Sequence, residues 1–168
     1  IGDCLITEQE AAILGWVLSD GHIYRGTYVG APSQAGGTKV ACGVDITQVK
    51  PHRVREIDEL LVGVPHKRYQ RTRDGKEYSV WKLDPGWSRS LLSRVNIHDK
   101  RSFDPWQVAL SLTPVQRKAM IATLNAGDGG HTKSDEIMIV GADDAPTTEL
   151  IVALGYLDGK FTRVYVRE

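Results

Sequence analysis

Apolar residues at helical spacing begin close to the start of the chain. Thr7-Glu8-Gln9-Glu10 has the capping-box pattern, and apolar side chains follow at intervals of three and four residues as far as Leu18. Gly21 ends the pattern, so the sequence predicts a helix over residues 7–20. Its last residue, Asp20, meets the partial negative charge of the helix C-terminus, which disfavours a carboxylate by about 0.3–1 kcal/mol. This helix end therefore needs a cation nearby.

The next part of the chain switches between strand and helix patterns. Apolar and polar residues with a period of two predict four strands, over residues 22–31, 38–48, 66–74 and 76–84. The last two flank Asp74-Gly75, a strong hairpin signal. Helical spacing predicts two more helices, over residues 51–63 and 87–95. The first part of the chain thus predicts the order helix, hairpin, helix, hairpin, helix.

The remainder of the chain repeats this order in a shorter form. Thr113-Pro114-Val115-Gln116 is a second capping box, and a helix is predicted from there to about Gly127. Further patterns predict a strand, a helix and a final strand, over residues 136–142, 145–159 and 161–168. The closing hairpin and helix of the first part have no counterpart, so the second part is predicted to be an abbreviated copy.

An internal repeat relates the first and fourth predicted helices. A shift of 108 positions superposes small residues that recur every four positions in both helices: Ala11, Gly15 and Ser19 on Ala119, Thr123 and Gly127. The same shift superposes Asp20 on Asp128. Stripes of small residues allow two helices to approach closely. Parallel packing through these stripes would place both aspartates at one end of the seam.

Two aspartates at adjacent helix C-termini repel each other unless a cation lies between them. Their hard carboxylate oxygens favour Mg²⁺ or a similar ion over zinc. Metal ions flanked by carboxylates activate water for in-line attack on a phosphodiester. A single Asp-Gly pair after a helix would indicate no more than a helix end, but two matched pairs indicate metal-dependent phosphate chemistry.

The two helix ends resemble the paired motifs of the LAGLIDADG homing endonucleases. The first segment is ILGWVLSDG, which keeps the glycine of the motif at Gly15, the acid at Asp20 and the closing glycine at Gly21. The second segment is IATLNAGDG, in which Thr123 replaces the usual central glycine and Asp128 keeps the acid. The duplication, together with the order of elements between the motifs, makes the resemblance fairly specific.

The resemblance implies an α+β fold of pseudo-two-fold αββαββα type in a monomer that straddles duplex DNA. The first half would cover residues 1–103, and a shortened second half would cover residues 104–168. Asp20 and Asp128 would be catalytic, would bind Mg²⁺ or Mn²⁺, and would direct water at the two strands to give a double-strand break.

The resemblance also implies which other side chains contact DNA. A lysine or glutamine usually lies near the scissile phosphates in this family; Lys82 is the first candidate, and Lys100 and Gln48 are alternatives. Basic residues in or near the predicted strands are the candidate DNA contacts: Arg25, Lys39, Lys67, Arg68, Arg71, Arg73, Lys133 and Arg163. Strand alternation puts Lys67, Arg71 and Arg73 on one face and Arg68 on the other, so a part of this set is expected to read bases.

Charge and composition change this interpretation little. The 168 residues have a formal net charge of zero, which argues weakly against a nucleic-acid-binding protein, but residues 51–101 carry twelve Lys or Arg against seven Asp or Glu. No apolar run reaches the roughly 18 residues of a membrane span, and no targeting signal is visible, so a soluble intracellular protein is expected. Cys4 and Cys42 lack zinc-site spacing and are expected to be reduced thiols.

Other functions fit parts of the same pattern. A protein with this fold that binds DNA without cutting it, or an RNA maturase, is the main alternative, and retention of both aspartates argues against it. A structural or protein-interaction domain with a coincidental repeat is a second alternative, and it predicts neither a metal site nor affinity for nucleic acid. An intein origin stays conjectural, because Cys4 is not the first residue and no His-Asn pair ends the chain.

Overall fold

The computed structural model describes residues 5–29, 38–131, 137–139 and 145–160. In chain order its elements are α1 (Glu8–Asp20), β1 (Gly21–Val29), β2 (Thr38–Gln48), α2 (Pro51–Leu60), β3 (His66–Arg73), β4 (Lys76–Leu83), α3 (Pro85–Arg94), α4 (Pro105–Ser111), α5 (Pro114–Asp128), β5 (Gly129–His131), β6 (Ile137–Ile139) and α6 (Ala145–Leu157). The first seven reproduce the predicted order of the first half, with strand and helix limits within a few residues of those predicted.

Helix α1 forms the centre of the core. Its capping box is confirmed: the Thr7 hydroxyl accepts a hydrogen bond from the Glu10 N–H at 3.1 Å, and the Thr7 N–H donates to Glu10 Oε2 at 2.7 Å. Every residue from Ala11 to Leu18 is buried, so α1 is covered on all sides rather than on one face. The helix then passes directly into β1.

Gly21 makes this direct passage from helix to strand possible. A Cβ atom at this position would lie 2.5 Å from the Cα of Val17 and 2.8 Å from the carbonyl oxygen of Asp45. Both neighbours are backbone atoms that cannot move aside without moving α1 or β2. The glycine is therefore needed for space, and its extended backbone (φ −103°) needs no left-handed conformation.

The four strands of the first half form one antiparallel sheet in the order β1-β2-β4-β3. The predicted hairpin between β3 and β4 is confirmed, and its turn residues Asp74 (φ 52°) and Gly75 (φ 73°) have the left-handed backbone of a type I′ turn. One face of the sheet packs on the helices through buried side chains, among them Cys42, Val44, Ile46, Trp81 and Leu83. No helix of the described residues packs on the other face, which is called the open face below.

The first element after residue 103 is a helix that the sequence did not predict. Helix α4 has seven residues, too few for a helical period to emerge, but Asp104 accepts a hydrogen bond from the Gln107 N–H at 3.0 Å and Pro105 begins the helix. The predicted capping box of α5 is confirmed, since the Thr113 N–H donates to Gln116 Oε1 at 2.8 Å. Two three-residue strands, β5 and β6, and helix α6 follow.

Some predictions of the second half are untested. The predicted strand over residues 161–168 lies outside the described residues. The boundary of the two halves near residue 103 also stays a prediction. None of the helices in the described ranges has the length and apolarity that crossing a membrane requires.

An ion pair ties the start of α1 to the end of α3. Arg94 binds both carboxylate oxygens of Glu10, through Nη2 and through Nη1 at 3.0 Å, and Nη1 also donates to the carbonyl of Leu5 at 2.8 Å. The Glu10 side chain is 12% exposed. The Arg94 hydrogen bond is the main cause that lowers the pKa of Glu10 below its ordinary value near 4.5.

Glu10→Gln is expected to lower the free energy of unfolding at neutral pH by about 1–3 kcal/mol, the scale of charge-assisted hydrogen bonds. Glutamine keeps the capping box but loses the charge that Arg94 binds. Because the folded pKa is lowered, this stabilisation is present above about pH 5 and disappears as the pH falls through the folded pKa. Urea unfolding at several pH values measures the effect; an identical acid dependence in wild type and variant would contradict it.

Candidate functional site

Helices α1 and α5 meet along the two stripes of small residues. A Cβ atom on Gly15 would lie 2.0 Å from Thr123 Oγ1 and 2.6 Å from the Met120 carbonyl oxygen, and one on Gly127 would lie 2.2 Å from Ser19 Oγ. These contacts pair residues that the 108-residue shift superposes, and both contacts advance four residues in the same direction. The two helices therefore run parallel and are related by a pseudo-two-fold axis along the seam.

The seam brings the end of α1 against the end of α5. The position that a Cβ of Gly127 would occupy is 3.0 Å from Asp20 Oδ2, and Asp128 is the next residue and the last of α5. The side chain of Asp128 lies outside what the structure describes, so its separation from Asp20 stays a prediction. Within the described ranges, no three His, Cys, Asp or Glu side chains form a group that could hold a metal ion.

Gln48, at the end of β2, fixes the carboxylate of Asp20. Its amide nitrogen Nε2 donates to Asp20 Oδ2 at 2.8 Å, and its oxygen Oε1 accepts from the N–H groups of Val49 (2.9 Å) and Lys50 (3.0 Å). Because two backbone donors bind the oxygen, the amide can present its nitrogen alone to Asp20. Gln48 is 4% exposed, so this orientation is held by packing as well.

Lys100 supplies a cation at the end of α1. Its ammonium group donates to the carbonyl oxygen of Ser19 at 2.9 Å and lies 3.4 Å from that of Gly21. These carbonyls belong to the helix terminus, where the backbone carries partial negative charge. The sequence predicts a cation near the end of α1, and Lys100, from the segment that follows α3, provides one.

Lys82, the first candidate for the group beside the scissile phosphates, lies elsewhere on the first half. It is on β4, opposite Asp45 of β2, and its ammonium nitrogen is 5.5 Å from the centre of the Tyr24 ring. A hydrogen bond to Tyr24 is the main cause that raises the pKa of Lys82. The structure thus brings Gln48 and Lys100, the two alternatives, to the end of α1 and gives Lys82 a place on the open face.

One feature of the sequence could have predicted that Gln48 lies beside the end of α1. In the β1–β2 register Gly21 lies opposite Ile46, so the residue two positions after Ile46 is level with the last turn of α1. A hairpin register predicted from the apolar pattern would have found it. The position of Lys100 depends on the path of the chain after α3, for which the sequence gives no periodic pattern.

The open face of the sheet is strongly basic. The strand registers place its described Lys and Arg residues on β3 and β4: Lys67, Arg71, Arg73, Lys76 and Lys82. All eight residues of β3 are exposed. The predicted alternation of Lys67, Arg71 and Arg73 agrees with this register.

The remaining candidate DNA contacts are not on the described part of the open face. Arg68 lies on the opposite face, donates to Asp58 Oδ2 at 2.6 Å and covers the Trp81 ring at 5.4 Å. Arg25 is opposite buried Cys42 and lies 3.1 Å from His98 Nδ1. The side chain of Lys39, and all of Lys133 and Arg163, lie outside the described residues.

The chain resembles solved structures in fold. No family model matches it, and no curated protein matches it by sequence. A variant of I-DmoI in complex with its target DNA and manganese superposes with a TM-score of 0.63 at 16% identity, over 94% of this chain and 78% of the other. I-DmoI in complex with DNA and calcium gives a TM-score of 0.54 at 18% identity, over 94% and 74% of the two chains.

A third structure, from mesophilic variants of the homing endonuclease I-DmoI, gives a TM-score of 0.61 at 16% identity over 94% and 79% of the two chains. The chain therefore has the fold of the LAGLIDADG homing endonucleases. This confirms the fold that the two motifs predict.

Proposed function

We propose that the protein is a site-specific endonuclease that hydrolyses both strands of duplex DNA with divalent metal ions. The observation that carries this proposal is the parallel seam of α1 and α5, which brings the C-terminus that ends in Asp20 against the one that ends in Asp128. Two such ends concentrate negative charge at one place, and a divalent cation relieves it. The I-DmoI complexes with DNA, manganese and calcium support the same assignment.

The chemistry of the donor set fits a hard cation. Carboxylate and carbonyl oxygens suit Mg²⁺, Mn²⁺ or Ca²⁺. Asp20 and Asp128 would hold the ions. Bound in this way, the ions would supply Lewis-acid polarisation of the phosphate and an ionised water at neutral pH.

The chain's own residues have separate tasks in this proposal. Gln48 holds the Asp20 carboxylate in one orientation through the 2.8 Å hydrogen bond, so that no reorganisation is needed when substrate binds. Lys100 places a positive charge beside the same helix end, where it neutralises carbonyl oxygens and attracts a phosphate. We assign to these two residues the role that the sequence first suggested for Lys82.

Duplex DNA is the proposed partner, and the open face is its proposed binding surface. Five Lys or Arg side chains on this face can neutralise phosphates or donate to guanine edges. Binding of this kind weakens steeply with salt, whatever the net charge of the whole chain. Because both motif helices belong to one chain, the proposed active form is a monomer, acting inside the cell where DNA is present.

Cleavage of a randomised duplex library tests the proposal directly. Cut ends recovered by sequencing should define one recurrent site, and cutting should need Mg²⁺ or Mn²⁺ and stop with EDTA. A protein that selects a duplex sequence but never cuts it would instead be the non-cleaving DNA-binding alternative. A preference for RNA would favour the maturase, and failure to bind any nucleic acid would favour an interaction domain.

A further inference from the structure

An acidic residue stands among the basic side chains of the open face. The strand registers put His22, Asp45, Lys82 and Lys67 in one row across β1, β2, β4 and β3. In the described part of this face, Asp45 is the single acid beside five Lys or Arg residues. A surface that served to neutralise phosphates alone would gain nothing from this carboxylate.

Tyr24 holds the neighbours of Asp45 in place. Its ring lies across Gly43, where a Cβ atom would be 2.2 Å from Cζ and Oη of the ring. His22 stacks on the ring with centres 6.2 Å apart and planes 21° from parallel. The ammonium of Lys82 lies 5.5 Å from the centre of the same ring. Gly43 thus allows an aromatic platform that fixes Lys82 beside Asp45.

The carboxylate of Asp45 has no bonded partner within the described residues. No hydrogen bond or ion pair there engages it, although His22, Lys82 and Arg71 are near enough for their charges to act on it. Partial burial is the main cause that raises its pKa, against the lowering effect of those three charges. The carboxylate of Asp45, an acceptor, and the ammonium of Lys82, a donor, therefore lie on neighbouring strands without bonding to each other.

We infer that Asp45 and Lys82 together read a C·G base pair in the major groove of the DNA target. This inference rests on the proposed DNA binding. An ionised carboxylate accepts hydrogen bonds and cannot donate them, so it needs the amino group of cytosine or adenine. An ammonium only donates, and guanine offers it two acceptors, O6 and N7, where thymine offers O4 alone. Cytosine and guanine present these two patterns side by side in one base pair.

The position of this base pair follows from the strand. Asp45 precedes Gln48 by three residues, which is about 10 Å along a β-strand. Gln48 contacts Asp20, so the pair is read about three base pairs of B-DNA away from the phosphate that would be cut. Asp45 and Lys82 are specificity-determining residues in this scheme and not catalytic ones.

Selection from a randomised duplex library, with Ca²⁺ in place of Mg²⁺, tests the inference with the full chain. Wild type should enrich a C·G pair near the centre of its site. Asp45→Asn gives a side chain that also suits adenine, so preference at that one position should fall by about 5- to 150-fold or change to A·T, with the other positions unchanged. Lys82→Met should relax the guanine preference at the same base pair.

Asp104→Asn is the matched control, because asparagine caps α4 as well as aspartate and Asp104 lies outside the sheet. Its selected sequence should equal that of wild type. Wild-type preferences retained at every position in both Asp45→Asn and Lys82→Met would overturn the inference and leave the proposed function intact. The absence of any selected sequence for wild type would overturn both. Lys82 is exposed, so its variant keeps the test valid if Asp45→Asn fails to fold.

Discussion

Asp20→Asn is expected to reduce DNA cleavage by about a thousandfold or more, the scale of losing a preorganised charged group at the reacting centre. The asparagine keeps a carbonyl oxygen that can accept the hydrogen bond from Gln48 Nε2, so the site keeps its shape. Thermal stability should not fall, because removal of a negative charge from a helix C-terminus is favourable by about 0.3–1 kcal/mol. The variant thus separates chemistry from folding.

Cleavage time courses on the selected site, gel-shift binding and thermal unfolding measure these three properties. Asp104→Asn makes the same chemical change at a helix N-cap, and it should leave all three properties unchanged. Cleavage by Asp20→Asn at the wild-type rate would remove Asp20 from the mechanism. Loss of cleavage together with loss of binding would mean that Asp20 is needed for DNA binding as well as for the chemical step.

Gly15→Ala is expected to lower the free energy of unfolding by about 3 kcal/mol, at the upper end of the usual cost of overpacking. The new methyl group would meet the backbone carbonyl of Met120 at 2.6 Å, and that oxygen cannot move unless α5 moves. At an unconstrained helix position the same substitution would instead stabilise by up to about 1 kcal/mol. The sign of the effect therefore reports on the closeness of the seam.

Gly127→Ala provides the matched comparison, with an expected cost of about 1–2 kcal/mol. Its methyl group meets the side chain of Ser19, at 2.2 Å from Oγ and 2.6 Å from Cβ. Ser19→Gly removes these atoms, so it should restore most of the loss in Gly127→Ala. Thr123→Gly should not restore Gly15→Ala, because the Met120 carbonyl remains. Urea unfolding of the single and double variants gives the two double-mutant cycles. Additive free energies of unfolding in both cycles would contradict the packing described.

The features that the sequence predicts correctly are those encoded in short stretches. Capping boxes at Thr7 and Thr113 set where α1 and α5 begin, and Asp74-Gly75 sets the hairpin. The repeat of small residues predicts the seam because helix packing depends on the size of side chains at fixed spacing. These signals need no knowledge of distant parts of the chain.

Contacts between distant segments are harder to predict from sequence. Lys82 and Lys100 are the same residue type, and the fold decides that Lys100 reaches the end of α1. Arg68 resembles its neighbours on β3, but Asp58 of α2 and Trp81 of β4 engage it on the helix side. Helix α4 was missed because seven residues do not establish a period. For Lys100 and Arg68, by contrast, the deciding partner lies in another element of the chain.

The join between α1 and β1 has a mechanical consequence. The helix that presents Asp20 and the strand that begins the open face are one unbroken segment, and Gly21 packs against backbone on two sides. The same holds across the sheet, where Gln48 ends the strand that carries Asp45. Under the proposed function, the covalent chain would therefore set the distance from the contacted bases to the bond that is cut. Retargeting by substitution on the open face would alter which bases are preferred, while the offset between recognition and cutting would stay the same.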